Sequence, residues 1–172
     1  MRSLTLLKHK ILLSADEAAL MVAERQKEGK KVVFTNGCFD ILHKGHVQYL
    51  ANAADCGDIL IVAANTDASV RQLNKGQDRP INKEGDRLEI LAALFFVDYV
   101  LLFDEDTPEK LIEDVCPDVL VKGADYDPNQ TDPDHKQYIV GREKVLEYGG
   151  EVRAIDLVSG YSTTGIVNRL KG

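Results

Sequence analysis

Six consecutive residues, Ile59-Leu60-Ile61-Val62-Ala63-Ala64, carry no polar side chain. The run follows Asp58 and ends in Asn65-Thr66-Asp67. A segment this short with no polar face reads as a strand covered on both sides, the habit of parallel sheets. Parallel strands need crossover connections, usually helices. Lys31 to Thr35, Asp98 to Phe103, Asp118 to Lys122 and Glu151 to Ile155 read as further strands, with helical patterns between them. The spacing predicts a single doubly wound α/β domain. Its five-stranded, mostly parallel Rossmann-like sheet carries helices on both faces and right-handed crossovers.

The helix boundaries follow from local chemistry. Ser14-Ala15-Asp16-Glu17 is a capping box; Ala18, Val22 and Arg25 continue that helix and Gly29 stops it. Residues 1–30 are expected as a helical extension clasped on the core, and residues 31–172 as the functional domain. Either Thr66 or Asp67 caps a helix starting at Ala68. Glu84 to Phe96 shows a helical stripe of Leu88, Leu91, Ala92 and Phe95, with Arg87 off it, so exposed or aimed at a site. Thr107 is expected to cap the next helix with Pro108 in its first turn. Ile139 to Tyr148 reads as a helix ended by Gly149-Gly150, and a last helix runs through Leu170. Asn74 to Lys83, with Gly76 and Pro80, is a loop. Its Lys75, Arg79 and Lys83 make it an anion-facing flap or an ordinary solvated surface. Asp127 to His135 is a second polar loop.

The formal charge of −7 over 172 residues argues against general nucleic-acid binding. Cys38, Cys56 and Cys116 form no C-x-x-C pair, which suits a reduced, cytoplasmic setting. No apolar run is long enough to span a membrane. The Leu4 to Leu13 run is broken by Lys8, His9 and Lys10 and lacks a small-residue cleavage site, so no signal peptide is expected.

Open parallel sheets bind ligands at the carboxyl ends of their strands. Three polar clusters fall there: Thr35-Asn36-Gly37-Cys38-Phe39-Asp40-Ile41-Leu42-His43-Lys44-Gly45-His46, then Lys122-Gly123-Ala124-Asp125-Tyr126, then Gly160-Tyr161-Ser162-Thr163-Thr164. His43 and His46 are three apart at a helix start, so both face one way, and Gly45 leaves the space between them open. Helix N-termini, hydroxyls, lysines and imidazoles suit phosphate oxygens. The chain has no Walker sequence, no G-x-G-x-x-G and no G-x-S-x-G. A zinc site from Cys38, His43 and His46 lacks a nearby fourth ligand. Ser162 to Thr164 can serve as an ordinary cap, and Lys122 with Asp125 as a strand-end ion pair or a substrate contact. Phosphoryl and nucleotidyl transfer need mainly positioning and charge stabilisation, which this set supplies.

Thr35 to His46 resembles the HxGH-type nucleotidylyltransferase signature, and Ser162-Thr163-Thr164-Gly165-Ile166 is similar to the second signature of the cytidylyltransferase branch. A narrower resemblance joins Thr35 to His43, Asn65 to Arg71, Arg79-Pro80-Ile81-Asn82, Val121 to Tyr126 and Gly149-Gly150-Glu151-Val152. These resemble the adenylyltransferase domain of ADP-heptose synthesis, in many bacteria fused behind a sugar kinase. The resemblance implies a stand-alone form that works beside a separate kinase. It implies transfer of the adenylyl group of ATP to D-glycero-β-D-manno-heptose 1-phosphate, with Mg²⁺ on the triphosphate, in a homo-oligomer. By resemblance, His43 and His46 stabilise the transition state. Thr35 and the Gly37, Cys38 and Phe39 backbone line the α-phosphate. Lys44 and Lys75 reach triphosphate oxygens, Ser162, Thr163 and Thr164 cap phosphates or frame the base, and Asp40 organises the turn. The implied nucleotide site also takes in Asn36, Gly45, Asn65, Asp67, Arg87, Lys122, Gly123, Asp125 and Tyr161. Glycerol-phosphate relatives carry R-T-E-G-I-S-T-T where this chain has Leu157 to Thr164 without the arginine. A cytidylyltransferase acting on glycerol 3-phosphate, or a non-catalytic nucleotide-binding module, are the alternatives.

Overall fold

The structure, a computed structural model, describes residues 2–73 and 79–171. Its strands are β1 (Val32–Gly37), β2 (Ile59–Asn65), β3 (Tyr99–Phe103), β4 (Val119–Gly123) and β5 (Glu151–Ile155). They form one sheet in the order β3-β2-β1-β4-β5, and every pairing is parallel. The chain winds outward from β1 to β3, then crosses back to β4. The direction of winding therefore reverses between β1 and β4, where a crevice opens at the carboxyl ends.

The helices are α1 (Arg2–His9), α2 (Ala15–Lys27), α3 (Lys44–Ala54), α4 (Asp67–Gln72), α5 (Glu84–Ala92), α6 (Glu109–Val115), α7 (Arg142–Glu147) and α8 (Thr163–Lys171). Alternate strand residues feed opposite layers. Val32 and Phe34 meet Met21 and Val22 of α2 and Leu111 and Ile112 of α6. Val33 and Val62 meet Tyr49 and Leu50 of α3 and Leu88 and Leu91 of α5. At the opposite, amino edge of the sheet, Asp58, Asp98 and Asp118 accept the N–H groups of Lys31, Leu60 and Val32 at 2.9, 2.8 and 2.7 Å. Those carboxylates pair strand-start donors that the ladder leaves free.

Ser14 caps α2 by accepting from Glu17 N, and Thr66, rather than Asp67, caps α4 by accepting from Ser69 N. Several expectations fail. Thr107 makes no cap; Pro108 holds the N-cap position of α6. The stripe of α5 ends at Ala92, and Phe95 is 91% exposed. The helix expected from Ile139 begins only at Arg142, after Gly141 adopts a left-handed φ of 83°. Within the helical extension expected over residues 1–30, the sequence reading delimited only the helix after Ser14; ahead of that helix stands a second one, α1. Just after it, Leu12 N–H donates to Val100 O and Val100 N–H to Lys10 O, so this stretch covers the outer edge of β3. No helix is long and apolar enough to cross a membrane among the described residues.

Candidate active site

A cleft of about 800 Å³ opens at the β1–β4 crevice. Its centre is the junction of two helix starts. His43 is the N-cap of α3, and its Nδ1 accepts from the His46 N–H at 3.3 Å. An Nδ1 that accepts carries no proton, so the ring proton sits on Nε2 as a donor. Burial pushes the His43 pKa below its ordinary 6.5, which also favours this neutral form. The two imidazoles stack with centroids 3.7 Å apart and planes 16° from parallel. Phe39, at a φ of 47°, sets its ring edge-on to His46.

Gly45 carries the second half of the junction. A Cβ there would lie 3.1 Å from the His43 ring and 3.1 Å from the Cβ of Tyr161. The start of α3 and the residues before α8 thus touch, although they lie far apart in the chain. Ser162 Oγ accepts from the Gly165 N–H at 3.0 Å and opens α8 beside the imidazoles. Tyr161, Ser162, Thr163 and Thr164 all line the cleft, as do Asn36, Gly37, Cys38 and Phe39 on the β1 side. Lys122 Nζ donates to Asn36 Oδ1 at 2.6 Å and lies 5.6 Å from the Tyr126 ring centroid. Lys122, Gly123 and Asp125 line the cleft at the end of β4.

Other expected site residues stand elsewhere. Thr35 is fully buried and its hydroxyl bonds to Tyr49 OH at 2.7 Å, so it does not face the cleft. Tyr49 OH donates onward to Val121 O at 3.1 Å, tying β1, α3 and β4 together, and burial pushes its pKa up. Lys44 is exposed, with Nζ 5.5 Å from the Tyr161 ring centroid. Lys75 lies outside the described residues. Arg87 is only 1% exposed and sits behind the cleft. It donates to Cys38 O at 2.7 Å, Asn65 O at 2.6 Å, Asp67 Oδ1 at 3.0 Å and Asn82 O at 3.2 Å. Asp67 is thus engaged by Arg87, while Asn65 reaches the cleft wall and donates to Ser69 Oγ at 2.9 Å.

Asp40 lines the cleft yet is 1% exposed. Its carboxylate pairs with Arg79 and accepts the Ile81 and Asn82 N–H groups at 2.8 and 2.9 Å. Asn82 returns a side-chain bond to Asp40 O. Tyr126, part of the expected cluster at the end of β4, lines the cleft, and sequence reasoning missed Asp106, Thr107, Val140, Leu157 and Val158 on its walls. Their loops carry no sequence pattern of their own. Arg79 had a signal, its place in a basic loop.

A family model described as cytidylyltransferase-like matches residues 34–169. The chain belongs to that family. Membership makes it a nucleotidyltransferase, and the matched span holds every cleft element described above. The bifunctional protein HldE of Campylobacter concisus is 57% identical over 146 residues, 85% of this chain and 28% of the relative. HldE of Vibrio vulnificus is 52% identical over 158 residues, 91% of this chain and 31% of the relative. The chain thus spans under a third of those relatives' length. A lipopolysaccharide core biosynthesis protein from Thermoplasma volcanium superposes with a TM-score of 0.58 at 31% identity, over 78% of this chain and all of that one. A pantoate-β-alanine ligase from Francisella tularensis, 16% identical with a TM-score of 0.57, shares the fold.

Proposed function

We propose that this cytidylyltransferase-like enzyme transfers the adenylyl group of ATP to D-glycero-β-D-manno-heptose 1-phosphate, giving ADP-heptose and pyrophosphate. One observation carries the reading: the stacked imidazoles of His43 and His46 meet the Ser162-to-Thr164 helix start across Gly45. The junction gathers phosphate donors of several kinds, the His43 Nε2–H, the α3 and α8 N-termini and the Ser/Thr hydroxyls. The kinship with HldE supports heptose as the acceptor.

The acceptor phosphate oxygen attacks the α-phosphorus, and the bond to the pyrophosphate oxygen breaks in line. No proton need move when the acceptor is a phosphate dianion. His43 and His46 donate to the non-bridging oxygens where charge accumulates; each such donor is worth roughly 100- to 1,000-fold in rate. Lys122, held by Asn36, meets the acceptor phosphate, and Ser162, Thr163 and Thr164 hold the nucleotide phosphates. Asp40, Asn65, Asp67 and Arg87 shape the backbone behind them. Mg²⁺ would be carried by the triphosphate oxygens, adding charge neutralisation. The same reading has a cytoplasmic homo-oligomer.

The test is pyrophosphate release with ATP or CTP against heptose 1-phosphate or glycerol 3-phosphate. Release only with ATP and heptose 1-phosphate is expected. Release only with CTP overturns the base assignment, and no release with any pair overturns catalysis.

A further inference from the structure

We propose that Arg79 holds the leaving pyrophosphate, presented to it by a guanidinium locked in place on the buried Asp40. The inference rests on the adenylyl-transfer reading. The Arg79 side chain is 10% exposed and that of Asp40 is 0% exposed, yet both line the cleft. One carboxylate oxygen of Asp40 accepts from Arg79 Nε and the other from Ile81 and Asn82 N–H. Among the described residues the two terminal nitrogens of Arg79 have no partner. Four N–H donors on a pinned, planar fork therefore face a cleft built for phosphates. A carboxylate whose sole task was to anchor the turn would need only the two backbone N–H groups.

The side of the cleft decides which phosphate Arg79 meets. Lys122 stands on β4 and bonds to Asn36 of β1. Arg79 stands across β1 from it: Asn82, on the same segment, bonds to Arg87, which also holds Asn65 O at the end of β2. Two cations thus line the cleft on opposite sides of β1. In-line displacement places the attacking and leaving oxygens on opposite faces of the α-phosphorus. With the acceptor phosphate on the Lys122 side, the departing oxygen, which takes the bonding electron pair, faces Arg79.

Calorimetric titration with pyrophosphate, ATP and AMP separates this role from simple neutralisation of Asp40. Arg79→Lys keeps the charge and loses the fork; Arg79→Gln with Asp40→Asn removes both buried charges together. Both variants are expected to bind pyrophosphate and ATP about 10- to 100-fold more weakly, the loss of a charge-assisted bond, with AMP within about 2-fold of wild type. In the wild-type protein, pyrophosphate but not AMP is expected to protect Arg79 from phenylglyoxal, mapped by mass spectrometry. That measurement decides the matter if neither variant folds. Unchanged pyrophosphate affinity, equal weakening of AMP, or labelling of Arg79 that pyrophosphate leaves untouched would each overturn the inference. A wild-type protein that binds neither ATP nor pyrophosphate overturns the adenylyl-transfer reading itself.

Discussion

The two walls of the cleft are built in opposite ways. The wall behind β1 and β2 is held by buried charge: Asp40 and Arg87 are each 1% exposed, and their bonds tie four chain segments together. The wall at α8 has no buried residue from Asp156 to Leu170, and its last apolar side chain, Leu170, is 80% exposed. Its fixed points are the Ser162 cap and the contact of Tyr161 with Gly45. Buried, fully bonded charges hold one geometry because any partial rearrangement strands a charge away from water. An exposed helix start can shift at little cost and adapt to whatever it touches. The molecule thus couples a cleft wall held by buried charge to a more exposed, adjustable one.

Arg87→Met is the strongest way to break that contrast. It leaves Asp67 and the Cys38, Asn65 and Asn82 carbonyls without their donor and should lower global stability by about 3–5 kcal/mol in denaturant unfolding. A loss under about 1 kcal/mol would mean that the buried wall is no more rigid than the other. Ser162→Ala should cost only about 1 kcal/mol, spent locally in α8. The thermal midpoint should barely move while the KM for ATP rises a few-fold; a cooperative loss of global stability would show the α8 wall to be part of the core.

The smallest effect lies where the walls meet. Burial lowers the His43 pKa from 6.5, so the unfolded chain takes up the proton first as pH falls. The associated stability is present above about pH 6.5 and lost as pH drops through the folded value. A protonated Nδ1 also cannot accept the His46 N–H. His43→Asn keeps an acceptor at the N-cap and should flatten the slope of thermal midpoint against pH below about 6.5. An unchanged slope in that variant would assign the pH dependence to other groups.

Much of the fold was legible from local signals. Apolar runs mark strands because a short segment with no polar face must be covered on both sides, and Ser14 and Thr66 announce helices because a side-chain oxygen serves an orphan N–H three residues on. The cleft's edge of the sheet followed from the parallel strands, and the histidine spacing placed both rings on one side; the β1–β4 crevice itself came from the strand order. The roles of individual polar residues were not legible. Arg87 and Asp67 read as ligand contacts and turned out to brace the wall; Thr35 turned inward to Tyr49; Phe95 continued a helical stripe and ended in solvent.

The sequence by itself determined the strand runs, the Ser14 and Thr66 helix starts and which edge of the sheet holds the cleft, because those choices depend on neighbours a few residues away. The tertiary structure alone decided which charges face the cleft and which face each other. Asp40 meets Arg79, and Arg87 meets Cys38 O, only once distant segments are packed together. A buried charge must find its partner wherever the fold brings one, and no local pattern records that search.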